Sequence, residues 1–317
     1  MRVLVTGAGG FIGAGVARLL AARGRIGKAR ISALALADRR LAPDLPAGAV
    51  PFEGDVGSAA LLGRIAQFRP EVVFHLAAVP GGAAEADYAL GRRVNLDATL
   101  ALFEQLADRD RPPAVVYASS IAVYGTSLPE IVKPDTPLHP PLTYGAHKLA
   151  CEILLADFSR RGLLDGRSVR LPGIVARPRE PSGLASAFMS DLLHALRDGE
   201  RFTCPVSPQA TSWWMSAPCC AGNLLHAATM DVSRADPARA WPLPVLHLSI
   251  AQVIETCARL YGDDRRQLVT FEPNEKLEAV FGRYPPLDDS ASRALGLQDD
   301  GSTDNLVRRA VGETDTL

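Results

Sequence analysis

Over its first 175 residues the chain alternates between two textures, and this alternation restricts the fold more than any other feature. Short apolar runs stand at 2–7 (RVLVTG), 30–38 (RISALALAD), 71–78 (EVVFHLAA), 114–120 (AVVYASS) and 167–175 (RSVRLPGIV), with a shorter one just ahead of 54–56 (GDV). Between them, segments 13–24, 61–68, 92–109 and 144–162 have helical spacing. Continuous apolar strands separated by helices belong to parallel sheets covered on both faces. Right-handed crossovers make such a sheet doubly wound.

After about residue 176 the pattern breaks into Pro- and Ser-rich stretches, with one helix at 183–199 and two adjacent tryptophans, Trp213 and Trp214. NLLHAATM (223–230) and PVLHLS (244–249) read as a late helix and strand that return to the large sheet. The expected organisation is a large domain, 1–175, rejoined by about 218–248. Segments 176–217 and 249–317 would form a smaller C-terminal substrate-binding domain. No internal repeat or low-complexity stretch is visible.

A chain of 317 residues can bury a full core. Its formal charge of −1, with arginines scattered among acids, gives no field to draw nucleic acid or an anionic membrane surface. The five cysteines, Cys151, Cys204, Cys219, Cys220 and Cys257, have irregular spacing and no metal-binding pattern. They read as free thiols in a reducing compartment. MRVLVTG runs straight into a strand-like stretch, leaving no room for a signal peptide, and no apolar run is long enough to span a bilayer. The expectation is a cytoplasmic protein without a metal.

TGAGGFIG (6–13) places Gly7, Gly10 and Gly13 three residues apart, between the first strand and the first helix. Glycine there lets the chain turn tightly and lets a pyrophosphate approach the backbone. The helix opening at Phe11 and Ile12 supplies N–H groups and a partial positive charge. This is the dinucleotide turn of a Rossmann sheet. Asp38, ending the second strand, is placed to accept hydrogen bonds from ribose hydroxyls and to repel a 2′-phosphate, which favours NAD. Arg39 and Arg40 leave NADP open, since an arginine beside this position can bind that phosphate. Asp55, followed by Val56, is placed to meet the adenine amino group, or else is a solvated turn acid.

YGAHK (144–148) sets a tyrosine four residues before a lysine. With six tyrosines and four lysines in the chain, about 0.08 such pairs are expected by chance at this helical spacing. An ammonium beside a phenol favours the phenolate and lowers its pKa from about 10. Tyr144 can then exchange a proton with a substrate hydroxyl or carbonyl as hydride moves, while Lys148 holds the nicotinamide ribose. Ser119 and Ser120 end the fifth strand, at the carboxyl edge where open α/β sheets keep their ligands. A serine hydroxyl there can bridge the reacting oxygen. Asn95 lies in the helix before that strand.

Taken together, TGxxGxxG, HLAA, VN, SSxxVYG and YxxxK resemble the extended short-chain dehydrogenase/reductase superfamily, over nearly the whole chain. The resemblance implies Ser120 as catalytic serine, Tyr144 as general acid/base, Lys148 as ribose binder and Asn95 as the asparagine that maintains a proton relay. It implies that Leu76, Ala77 and Ala78 line NAD, that Pro172, Ile174 and Val175 approach the nicotinamide, and that two helices pair with a second copy in a homodimer. SSIAVYG, DFSRRGLLDGRSVRLPGIVARP, SAFMSDLL and NLLHA resemble the D-erythronate dehydrogenase group, whose members oxidise the C2 hydroxyl of a small sugar acid with NAD.

Departures bear on the substrate. Gly173 stands where nucleotide-sugar enzymes carry a diphosphate-gripping asparagine, and Ile121 and Ala122 replace the acidic pair of a dehydratase. Ser212 and Cys219 stand where the sugar-acid pattern has arginines, which grip a carboxylate with a bidentate fork. Trp213, Trp214 and Met215 would then suit a less acidic or aromatic alcohol, or simply fill a core. Arg177 and Arg179 are candidate anion contacts, and His139 and His147 flank the catalytic helix. An epimerase with retained NAD and a non-catalytic dinucleotide sensor are the competing readings, the second weakened by the intact serine, tyrosine and lysine.

Overall fold

The computed structural model describes residues 1–107, 111–179, 185–233 and 235–313. In chain order the main elements begin with β1 (Arg2–Thr6), α1 (Phe11–Arg23), β2 (Ala33–Asp38), β3 (Ala49–Glu53), α2 (Ala59–Phe68) and β4 (Val72–His75). They continue with α3 (Ala98–Ala107), β5 (Ala114–Ser120), α4 (Thr143–Arg160), β6 (Asp165–Leu171), β7 (Gly173–Val175) and α5 (Phe188–Asp198). Last come β8 (Thr211–Ser216), α6 (Ala217–Ala227), β9 (Ala240–Pro242), β10 (Leu246–Ser249) and α7 (Ile250–Tyr261). Two compact units emerge. One comprises Met1–Val123, Leu138–Leu171 and Ala221–Pro242, the other Tyr124–Pro137, Pro172–Cys220 and Leu243–Leu317.

The first unit is built on a seven-stranded sheet of order β9-β6-β5-β4-β1-β2-β3, every pairing parallel. Chain order reverses between β1 and β4, which creates the crevice where such sheets bind ligands. Strands buried on both faces need continuous apolar sequence, and Val3, Leu4 and Val5 are fully buried. Leu61 and Ile65 of α2, Leu102, Phe103 and Leu106 of α3, and Cys151 and Leu155 of α4 pack with sheet residues Leu4, Val73, Val115 and Tyr117 in one core. The doubly wound α/β sheet is the one the alternating textures indicate.

Four details differ from the sequence reading. The run at 167–175 is two strands, broken at Pro172. β6 stays with β5, while β7 pairs with β8. Proline has no N–H to continue the ladder. PVLHLS does not rejoin the large sheet, because β10 pairs antiparallel with β8. The seventh strand is β9, which the sequence hides because it is only three residues long. Finally, the helical segment at 92–109 starts at Tyr88 and passes through a π-turn, Arg93–Asp97, before α3, and its last two positions lie outside the described residues.

The second unit contains a three-stranded sheet, β10-β8-β7. Its core gathers Phe188, Met189, Leu192, Trp214, Ile250, Val253 and Cys257. α7 opens with a reciprocal cap between Ser249 and Gln252. Among the described residues no helix is long and apolar enough to cross a membrane, and no cluster of His, Cys, Asp and Glu could hold a metal ion.

Candidate active site

The glycine turn fits a dinucleotide. A Cβ on Gly13 would lie 2.0 Å from the Gly7 carbonyl oxygen, so only glycine lets α1 start this close to β1. No side chain caps the N-terminus of α1, and its first turn carries no acid. Both conditions suit an arriving phosphate. The half-buried residues Phe11 and Ile12 open that helix. Asp38, ending β2, accepts the Gly9 N–H through Oδ2 at 3.0 Å, which sets its carboxylate beside the turn. The donor set and the cradle therefore suit NAD. Asp55 Oδ1 accepts from the Gly57 N–H at 2.9 Å and braces its own turn, and Val56 belongs to the core. Leu76, Ala77 and Ala78 follow β4 half-buried, and the Leu76 N–H donates to the Thr6 carbonyl at 3.1 Å.

A buried hydrogen-bond chain that the sequence reading missed underlies this turn. The Thr99 hydroxyl donates to the Asn95 carbonyl at 3.0 Å. It can therefore only accept from His75 Nε2, 2.9 Å away. That fixes the Nε2–H tautomer by the logic of the network, and Nδ1 accepts from the Thr6 hydroxyl at 2.6 Å. His75 thus links the end of β1 to the π-turn carrying Asn95. The Asn95 side chain is pinned at both ends, accepting from Val79 N–H (2.7 Å) and donating to the Val79 carbonyl (3.0 Å). It braces the segment after β4. A π-turn places its side chains off the ordinary helical register, and such turns recur at functional sites.

Burial, reinforced by Lys148, lowers the His75 pKa to about 3. The folded state therefore favours the neutral imidazole. The stability this gives is full above the unfolded value near 6.5 and is lost as pH falls toward 3. Chemical denaturation should show a slope of about 1.4 kcal/mol per pH unit across this window from this residue alone. The His75→Gln variant should be weaker at pH 7 and lose that part of the slope. An unchanged slope would mean that His75 does not carry it.

α4 carries Tyr144 and Lys148, the two residues expected to act as an acid/base pair. Its N-terminus is capped from outside by Glu85, which accepts the Thr143 N–H at 2.9 Å. A Cβ on Gly145 would lie 2.6 Å from the Ala122 carbonyl oxygen, so glycine lets the first turn of α4 press on the turn that follows Ser120. Lys148 is 2 % exposed, donates to the Ala118 carbonyl at 2.6 Å, and lies between two rings, 4.7 Å from Tyr117 and 5.6 Å from Tyr144. Burial above all lowers its pKa to about 8, while Cys151 and Glu152 pull the other way. At neutral pH the ammonium persists. Ser120 ends β5 half-buried and accepts the Ala122 N–H at 3.2 Å. Its neighbour Ser119 instead donates into the interior, to Glu152 Oε1 at 2.5 Å. That hydroxyl is donated within the protein, so the substrate contact expected of Ser119 would have to displace this bond.

The expected residues from Pro172 to Cys219 lie in the second unit. Pro172 is buried at its start, and Ile174 and Val175 are buried strand residues of β7. Trp213 and Trp214 are fully enclosed, with indole N–H groups donated to the Pro285 carbonyl (2.6 Å) and the Leu248 carbonyl (3.1 Å). Both rings are core. The substrate role expected for them is corrected accordingly: neither has exposed surface or an uncommitted N–H. Ser212 and Cys219 are buried as well. Arg177 is half-buried and its carbonyl faces His194 Nε2 at 2.7 Å, whereas Arg179 pairs with Glu200 and Asp198. His139 is exposed. His147 is buried, with its ring 6.0 Å from that of Tyr88. All five cysteines are buried and none is in a disulfide.

The profile of the NAD dependent epimerase/dehydratase family matches residues 3–214. A D-erythronate dehydrogenase from Cupriavidus necator is 38% identical over 314 residues, 97% of each chain. One from Haemophilus influenzae is 30% identical over 98% of this chain and 99% of that one. A crystal structure described as the nucleoside-diphosphate-sugar epimerase from Agrobacterium tumefaciens superposes with a TM-score of 0.92 at 31% identity, covering 99% of this chain and 94% of that one. The chain belongs to the NAD dependent epimerase/dehydratase family, and NAD is its cofactor.

Proposed function

We propose that this protein is an NAD-dependent dehydrogenase that oxidises the C2 hydroxyl of a small sugar acid, with D-erythronate as the leading substrate. The observation that carries the reading is the buried Lys148 ammonium, 5.6 Å from the Tyr144 ring, on a helix pressed against the turn after Ser120. As a phenolate stabilised by that ammonium, Tyr144 takes the hydroxyl proton of the alcohol. Ser120 holds the same oxygen by a hydrogen bond. NAD, when bound, accepts the hydride. Gly7, Gly10, Gly13 and the opening of α1 hold its pyrophosphate, and Asp38 its ribose. The sugar-acid substrate is supported by the two relatives named for D-erythronate. The aromatic-alcohol reading loses the support it took from Trp213 and Trp214.

The test is a screen of NAD reduction against aldonates, uronates, 3-hydroxy acids and aryl secondary alcohols. Turnover on aryl alcohols and none on acids would overturn the substrate class. The 31% identical structure described as a sugar-nucleotide epimerase favours a second reading, an epimerase with retained NAD. Protein that purifies with bound NAD and releases no NADH during turnover would establish it. The Gly173 substitution weighs against it.

Cofactor choice gives a further expected result. Asp38→Ala removes a charged hydrogen-bond acceptor, an effect of about 1.5–3 kcal/mol. The KM for NAD should rise about 10- to 100-fold, and the preference over NADP should narrow. Equal preference in both proteins would remove Asp38 from the site. We also infer a cytoplasmic homodimer, supported by the buried free thiols and by the exposed apolar Tyr88, Leu142 and Ile153 at or near α4. Light scattering on the purified protein tests the dimer.

A further inference from the structure

Tyr144, Lys148 and Glu152 recur at four-residue intervals along α4 and so share one stripe of the helix. The first two are used by the proposed chemistry; the third is not. Yet Glu152 is 3 % exposed, and a carboxylate that deeply enclosed needs partners. It has them on two strands. Arg170 of β6 donates Nη2–H to Oε2 at 2.8 Å and Nε–H to Oε1 at 3.0 Å, and Ser119 of β5 donates to Oε1. One turn earlier, Lys148 donates to the carbonyl of Ala118. Two successive residues of β5, immediately ahead of Ser120, are therefore bonded to α4 through Lys148 and Glu152.

We infer that Glu152 is a positioning residue for the acid/base machinery: it locks the end of β5, and so Ser120, against the helix carrying Tyr144, and it supplies the fixed negative charge that keeps Lys148 an ammonium inside the protein. This inference rests on the function proposed above. Apart from Glu152, the titratable groups facing Lys148 are Tyr144 and Cys151 on α4, Tyr117 on β5 and His75 on β4, with Arg170 on β6 behind the carboxylate. Burial holds His75 neutral and raises the Cys151 and Tyr117 pKa values, so those three stay uncharged near pH 7. Glu152, paired with Arg170, is the carboxylate among these groups.

The Glu152→Gln variant keeps the shape and an acceptor for Ser119 but removes the charge. The chain has four lysines, Lys28, Lys133, Lys148 and Lys276. Lysine labelled with carbon-13 at Cε therefore gives four signals by NMR, and Lys148→Met assigns the one of interest. The Lys148 titration midpoint should move to lower pH in Glu152→Gln by about one unit, the usual size for loss of an adjacent opposite charge. With D-erythronate and NAD, kcat should fall about 10-fold or more, its alkaline limb should move the same way, and the KM for NAD should change less than about 2-fold. A Lys148 midpoint that stays put in folded protein, or a scaled-down rate with an unmoved pH profile, overturns the inference. If Glu152→Gln alone does not fold, the carboxylate is removed in the Arg170→Gln background instead, and the Lys148 midpoint of the double variant should lie about one unit below that of Arg170→Gln alone; equal midpoints overturn the inference. The NMR readout needs no substrate. A shifted midpoint in a protein whose Tyr144→Phe variant remains active would sink the proposed chemistry while leaving the electrostatic role of Glu152 in place.

Discussion

Replacing Tyr144 with phenylalanine is expected to reduce turnover by about 10²- to 10⁴-fold, the range over which a positioned acid or base acts. The substitution removes one oxygen. The ring remains, and so does its packing: the space beside Gly81 is bounded by Tyr144 Cβ and ring carbons, which phenylalanine also has. Lys148 keeps its hydrogen bond to the Ala118 carbonyl and its contact with the Tyr117 ring. The fold and the glycine turn should be intact. NAD binding by calorimetry should therefore change less than about 2-fold, because the lost interaction acts chiefly in the transition state. Initial rates of NADH formation measure the turnover. A folded Tyr144→Phe protein that retains a tenth of the wild-type kcat would remove this phenol as the base.

The second large effect is expected at the cofactor turn. Alanine at Gly13 would place its Cβ 2.0 Å from the Gly7 carbonyl oxygen and 2.7 Å from its carbon, distances no real contact allows. Neither atom is the end of a flexible side chain. The backbone of the turn must move, and the amides at the start of α1 move with it. NAD affinity should fall about 100-fold or more, and overpacking of this kind destabilises by about 1–3 kcal/mol. Gly15 is the control, since a Cβ there meets nothing within 4 Å. Gly15→Ala should bind NAD normally and gain up to about 1 kcal/mol of stability from the better helix former. If Gly13→Ala bound NAD as tightly as Gly15→Ala, the turn would not be the pyrophosphate site.

The sheet and the shared helix face of Tyr144 and Lys148 were legible in the sequence for the same reason: each depends on local periodicity. Strands buried on both faces read as unbroken apolar runs, and Tyr144 and Lys148 share a helix face because they are four residues apart. Where the reading failed, the deciding information was not local. β7 and β6 formed one apolar run until Pro172 interrupted hydrogen bonding. β9 is too short to announce itself, and β10 looks the same whether it pairs with the large sheet or with β8. Trp213 and Trp214 read equally as pocket lining or as core. Only the burial of both rings and the placement of their N–H groups separate the two.

The sequence by itself determined the class of sheet, the position of the glycine turn, the acid closing β2 and the spacing of Tyr144 and Lys148 on one helix, because these follow from periodicity and from the backbone needs of single residues. The tertiary structure decided which of two adjacent serines donates to a buried carboxylate, which histidine nitrogen carries the proton, and how Lys148 is enclosed. Those outcomes depend on Glu152, Arg170, Thr99 and Tyr117, which reach the site from separate helices and strands. A buried charge or hydrogen bond is fixed by whatever groups the fold brings within about 3 Å of it, and no spacing rule along the chain specifies that set.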